Sequence, residues 1–331
     1  MRHIQRLQLH IANRKAGFRF VLMCLMLSLC LQGCGEAQEE VLGTSVSYED
    51  VAEDATLVRG SRDNTIRVLT PVASGEEVLQ CDVAQIDVSN AQEGYIAVNY
   101  FGDCAKVKLQ ITGPDQVTYS YNLQTGKEEF FPLSAGSGMY TLGVYENVAE
   151  TQYAIALSQE VEVNITNQFG PNLYPNQYSM FTEETKFVKK SADLSYSMND
   201  DLSFVTNVFN YVLCTMSYDV EKAENIAKGY VCDLDEIYET RTGVCLDYAA
   251  IMTCILRSQG IPTMLQVGYA GTAYHAWIST YIEEKGWING IIEFDGENWS
   301  LMDPTLADST ATDKLKDFIG DGSNYLVKYV Y

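Results

Sequence analysis

The sequence predicts an α+β protein in two parts, an antiparallel β-sandwich over residues 57–166 and a mixed helix-and-sheet domain over residues 181–331. Three observations carry this. Short apolar/polar alternating runs separated by Gly, Pro, Asn and Asp fill the first part. Two long apolar stretches with helical spacing, 202–216 and 245–256, open the second. Past Pro262 strict alternation returns and continues towards Pro304. A chain of 331 residues suits two cores of ordinary size, and 47% hydrophobic content with only 7 prolines excludes general disorder.

Residues 1–33 carry five basic and no acidic side chains, followed by an apolar run from Phe20 to Leu31. The run is short for a membrane span but fits a secretory signal peptide. It ends in Leu31-Gln32-Gly33-Cys34, which resembles the bacterial lipobox, so Cys34 is expected to be lipidated and to become the N-terminus. Of 22 Lys and Arg, 17 remain beyond residue 33 against 44 Asp and Glu, a net charge of −27. Such a surface repels nucleic acid, which is discounted as a partner. Residues 34–56 are acidic without apolar period and read as a tether. The runs IRVLTPV, YIAVNYF, VKLQIT, VTYSYNL, MYTLGVY and TQYAIAL then read as strands of an immunoglobulin-like sandwich. Its tyrosines fit half-buried sheet better than a carbohydrate site. Cys81 and Cys104 lie in this part as a candidate disulfide. Residues 167–180, rich in Asn and Pro, read as a linker.

In the second part, helices are expected over Glu183–Tyr196 and Leu202–Met216, followed by a polar stretch from Val220 to Thr240. A third helix starts at Cys245. Thr242 and Gly243 offer cap chemistry, Asp247 puts a carboxylate in the first turn, and Ala249 to Leu256 is apolar except for Thr253. Arg257, Ser258 and Gln259 restore polarity, Gly260 can take a left-handed cap, and Pro262 stops the ladder. Strands follow over Thr263–Tyr269, Tyr274–Ile282, Ile288–Phe294 and Trp299–Met302, leaving Asp303 at a strand end.

Histidine is scarce. Two of three lie in the signal segment, so His275 is the one imidazole beyond it. With no CxxC, HxH or HExxH spacing, neither a metal site nor another cofactor is expected. Cys245, His275 and Asp303, spaced by 30 and 28 residues, have the logic of a thiol triad. Imidazole takes the thiol proton, the carboxylate fixes the ring's tautomer, and the thiolate attacks a carbonyl while the helix N-terminus holds the oxyanion. Each residue alone has a bland reading, as a buried hydrophobe, a core histidine and a turn former. Trp277, Trp287 and Trp299 read mainly as sheet packing.

Tyr218-Asp219 after a helix, Gly243-Val244-Cys245 opening the next, the strand Tyr274-His275-Ala276-Trp277-Ile278, and Leu301-Met302-Asp303-Pro304-Thr305 together resemble the transglutaminase-like superfamily. The resemblance spans about residues 200–310. It implies a papain-like α+β fold with Cys245 as nucleophile, His275 as base and acid and Asp303 as orienting carboxylate. Tyr218, Gly243 and Trp277 are candidates for oxyanion or site support. The expected function is thioester chemistry on peptide or amide bonds, with hydrolysis favoured. Glutamine–amine cross-linking and a non-catalytic surface binding module are the alternatives. The expected partners are a peptide or protein substrate, such as cell-wall peptide, and the membrane through a lipid anchor. That anchor places the protein on the outer face of a bacterial cytoplasmic membrane.

Overall fold

In the first part, alternation sets the strands. The computed structural model describes residues 58–283, 285–289, 291–294, 299–302 and 325–331. The expected signal peptide, the tether, Cys34 and Asp303 lie outside these. Eight strands come first: β1 (Val78–Gln80), β2 (Ala84–Asp87), β3 (Tyr95–Tyr100), β4 (Val107–Thr112), β5 (Thr118–Leu123), β6 (Glu128–Pro132), β7 (Gly138–Ala149) and β8 (Gln152–Val163). They form two four-stranded antiparallel sheets, ordered β1-β2-β3-β6 and β5-β4-β7-β8. In β5, Tyr119, Tyr121 and Leu123 are buried while Thr118, Ser120 and Asn122 are exposed, the period of two that a sheet with one dry face requires. Buried residues of both sheets belong to one core, and the Tyr121 and Phe131 rings meet at 4.7 Å. Among the described strands the order differs from that of immunoglobulin domains, which place their first, second, fifth and fourth strands together.

Two expectations for this part are corrected. IRVLTPV is not a strand. Residues 60–67 instead form a strap along the second part, with the Gly60, Arg62 and Arg67 amides donating to the carbonyls of Tyr196, Met198 and Ser258. The Arg62 guanidinium decides the path. It is bonded to Asp201, Ser195 and Gln259 and sits 4.3 Å from the Phe204 ring centroid. Cys81 and Cys104 are separate free thiols, and that of Cys104 is turned to the carbonyls of Lys106 and Asn147 at 3.4 and 3.6 Å.

The second part consists of α1 (Lys186–Ser195), α2 (Asp201–Thr215), β9 (Ser217–Tyr218), α3 (Val220–Asn225), α4 (Leu234–Thr240), β10 (Thr242–Gly243), α5 (Cys245–Arg257), β11 (Thr263–Ala270), β12 (Ala273–Ile282), β13 (Gly286–Asn289), β14 (Ile291–Phe294), β15 (Trp299–Met302) and β16 (Tyr325–Val330). The main sheet is antiparallel, ordered β13-β12-β11-β16, and β14-β15 is a separate hairpin. The run Ile288–Phe294 is therefore divided between two sheets. Helix α2 starts on a reciprocal cap, with Asp200 accepting from the Ser203 amide and the Ser203 hydroxyl accepting from the Asp200 amide. No helix among the described residues is long and apolar enough to cross a membrane.

Helix α5 is buried from Asp247 to Arg257 and packs against α1, α2, β11 and β12. Its end is set as expected by Gly260, at a φ of 77°. Arg257, however, does not restore polarity at a surface. Only 1% exposed, it donates four hydrogen bonds, two to the Thr263 carbonyl and one each to those of Tyr174 and Tyr331, at 2.6–2.9 Å. One guanidinium thus ties helix, sheet and the 167–180 stretch.

That stretch is itself buried at Pro171, Asn172, Asn176 and Gln177. Gln177 donates to the buried Glu129 of β6, Ser179 to the Ala250 carbonyl of α5, and Tyr178 packs 4.3 Å from the Tyr331 ring. The described residues consequently share one core and belong to a single compact unit.

Candidate active site

The site begins where β9 and β10 pair in parallel, Thr242 with Ser217 and Gly243 with Tyr218. This short bridge replaces the expected cap at Thr242 and Gly243. The N-cap is Val244, whose side chain has no acceptor, and the Asp247 carboxylate accepts the Val244 amide at 2.9 Å in its stead. Gly243 must lack a Cβ, because one would stand 2.7 Å from the Asp247 Cβ and 2.9 Å from its Oδ2. Cys245 is therefore the first residue of a helix whose start is held on two sides. Its thiol is half-buried, and its amide is among those a helix leaves without an intrahelical acceptor.

Asp247 is fully buried. Besides the Val244 amide it accepts Lys222 Nζ at 2.8 Å and the Tyr230 hydroxyl at 2.7 Å, while Lys222 also bonds the Tyr230 oxygen at 2.7 Å. Burial, the nearby Cys232 and the bond to Asp247 raise the Tyr230 phenol's pKa, so it stays a neutral donor. The Cys232 thiol is pushed well up by burial and then by the nearby Asp247 carboxylate. Cys254 is likewise raised by burial. Both are poor nucleophiles for that reason.

The imidazole comes from β12. His275 is 7% exposed and pairs in register with Gly268 of β11. Gly268 is obligatory, since a Cβ there would lie 2.0 Å from the Leu326 carbonyl oxygen of β16. Trp277, two residues on and on the same sheet face, stacks on the imidazole with centroids 6.2 Å apart and meets the Tyr325 ring edge-on at 5.0 Å. Strand β12 packs against α5. Burial, then neighbouring phenols and last the nearby Cys245 raise the pKa of Tyr274, which is beside His275 and 60% exposed.

Residues 189–290 match the family model of the transglutaminase-like superfamily, a span that includes Cys245 and His275 and stops short of Asp303. This segment is a transglutaminase-like domain. The chain is 25% identical over 245 residues to a UPF0252 protein of Methanocaldococcus jannaschii, covering 66% of this chain and 67% of that one. It is 32% identical over 69 residues to a protein-glutamine gamma-glutamyltransferase of Pseudomonas aeruginosa, covering 17% of this chain and 10% of that one. Among solved structures, red sea bream transglutaminase aligns with 13% identity and a TM-score of 0.27, over 66% of this chain and 49% of that one.

Within the transglutaminase-like domain, the structure puts Tyr218, Gly243 and Cys245 at one helix start and His275 with Trp277 on the strand packed beside that helix. Tyr218 packs 6.3 Å from the Tyr248 ring of α5. Trp287, by contrast, lies away from these residues in a cluster with Tyr281 and Phe169. Lys222, Tyr230 and Cys232 had no signal in the sequence, because they meet Asp247 from 15 to 25 residues away in irregular or short helical chain. Among the described residues no group of three or more His, Cys, Asp and Glu side chains is placed to hold a metal ion.

Proposed function

We propose that the transglutaminase-like domain is a thiol enzyme that cleaves peptide or amide bonds through Cys245. The observation that carries the reading is a half-buried thiol on the first residue of a buried helix, beside the strand that bears the one imidazole beyond the signal segment. His275 removes the thiol proton, and the thiolate attacks the substrate carbonyl to give a tetrahedral oxyanion, held by the Cys245 amide with help from Tyr218. Collapse forms a thioester and expels the amine, which takes its proton from the imidazolium. His275 then deprotonates water, which attacks the thioester and releases the acid. Asp303 orients the imidazole. Export and anchoring through acylated Cys34 would hold this chemistry at the membrane's outer face, near cell-wall peptide. Cys34→Ser should then release the protein from the membrane fraction.

Iodoacetamide labelling of each cysteine, followed by peptide mass spectrometry from pH 4 to 10, tests the pair in wild type and His275→Ala. Fast labelling of Cys245 well below the ordinary thiol range of about 8.5, lost without His275, supports the reading. An accessible Cys245 that labels like any free thiol in both proteins overturns it. The Pseudomonas relative's name favours amine transfer as the second reading. A glutamine peptide given a primary amine would then gain the amine's mass less ammonia, with no cleaved product.

A further inference from the structure

We infer that Asp247, with Lys222 and Tyr230, is a positioning device that sets the oxyanion-binding geometry of Cys245. The inference rests on the thiol reading above. Asp247 Oδ2 takes both the Val244 amide and Lys222 Nζ, and Oδ1 takes the Tyr230 hydroxyl. Because the Val244 amide is consumed in this way, it cannot serve an oxyanion, and the donor role falls to the amide of Cys245 itself. The carboxylate pins the Gly243–Val244 peptide plane, and the Asp247 and Tyr248 amides donate to the Val244 carbonyl, which fixes the next plane and with it the direction of the Cys245 amide.

The same carboxylate lies against Gly243, whose register partner is Tyr218. Any movement of Asp247 therefore shifts both candidate oxyanion donors together. Tyr230 closes the triangle by donating to Asp247 while accepting from Lys222, so no member can turn without breaking two bonds. Lys222 is 29% exposed on its side-chain surface, and Lys222 and Tyr230 line an open cleft of about 630 Å³ with Asp219, Glu221 and Asn225. The clamp thus reaches from the solvent-facing cleft to the Gly243–Val244 peptide plane, one before the plane that carries the nucleophile's amide.

Two electrophiles separate positioning from simple charge or bulk. Iodoacetamide alkylates a thiolate with no oxyanion. With p-nitrophenyl acetate, the thiolate adds to the ester carbonyl, an oxyanion forms, p-nitrophenolate leaves with its electron pair, and an acetyl thioester remains on Cys245. Removing the negative charge with Asp247→Asn favours thiolate, so alkylation should hold or rise. Acetylation of the Cys245 peptide should fall about tenfold or more. Tyr230→Phe, which removes one bond and keeps the packing, should lower acetylation in the same sense by about two- to fivefold.

Both rates are read by peptide mass spectrometry on the purified full-length protein, with far-UV circular dichroism confirming the fold. Equal changes in the two rates, or none, overturn the inference, and if Asp247→Asn fails to fold the Tyr230→Phe pair of rates decides. Absence of any acetyl-Cys245 in the wild-type arm overturns the thiol reading, and this inference with it. A wild type that acetylates alongside variants with an unchanged rate ratio overturns the positioning role alone.

Discussion

Helix α5 carries a buried charge at each end, and the two are satisfied in opposite ways. At its start, Asp247 is neutralised by a part-exposed lysine, a phenol and one amide. At its end, Arg257 has four hydrogen bonds to backbone carbonyls of three different segments. Carbonyls belong to the fold and cannot leave, whereas Lys222 reaches water and can. The difference separates a structural rivet from an adjustable clamp, and it puts the adjustable one beside the candidate nucleophile.

The largest expected effect is at the rivet. Arg257→Met leaves the carbonyls of Thr263, Tyr174 and Tyr331 short of donors in a dry interior, and should lower unfolding free energy by about 3–5 kcal/mol. Lys222→Met leaves Asp247 its bonds to the Val244 amide and the Tyr230 hydroxyl in a site that water can enter, so about 1–3 kcal/mol is expected. Urea denaturation of the two variants compares them directly. A larger loss for Lys222→Met would break the distinction.

The next effect is a pH dependence that the rivet's surroundings create. The Arg257 carbonyl partner Tyr331 also sends its ring into a cluster with Tyr119, Tyr121 and Tyr178. Burial raises all four phenols above their ordinary value of 10.0. Phenols raised in the fold contribute stability that is fully present below pH 10 and is lost as pH rises beyond it, because the unfolded chain then ionises first. Arg257 acts in the opposite sense. Burial lowers its pKa to about 9, so between there and 12.5 the unfolded chain holds the extra proton and stability gains with pH. Four phenols outweigh one guanidinium, and melting temperature should fall above pH 10. Tyr331→Phe should flatten that fall, and an unchanged slope would show that the cluster does not govern it.

Much of this helix was legible in the sequence, and its boundaries show why. Cys245 at the start, the apolar run and Gly260 at the end are local signals, written within about four residues of where they act. The alternation of β4, β5 and β12 is equally local. What escaped is long-range. Arg257 looks like the first polar residue after a helix, because its carbonyl partners lie up to 83 positions away. The run IRVLTPV alternates like a strand, yet residues 60–67, which it overlaps, bond to partners 128 to 197 residues distant in the other half of the chain. The last described strand, β16, is apolar or aromatic except for Lys328, was not expected, and completes the sheet edge next to β11. Asp247 was visible as a first-turn carboxylate, but its lysine, phenol and thiol partners were not.

Between the two charged ends lies the smallest effect, at Thr253. It is fully buried in the middle of α5, and its hydroxyl has no hydrogen-bond partner among the described residues. Such a group carries the desolvation cost of a polar atom with none of the bond that would offset it. Valine has the same shape and places a methyl where the hydroxyl stood. Thr253→Val should therefore be neutral or stabilising by up to about 1 kcal/mol, in contrast to the loss expected from neutralising either end. A denaturation midpoint that instead falls by the amount expected for Lys222→Met would mean that this hydroxyl is bonded in solution. The interior of the helix would then be polar along its length rather than only at its two ends.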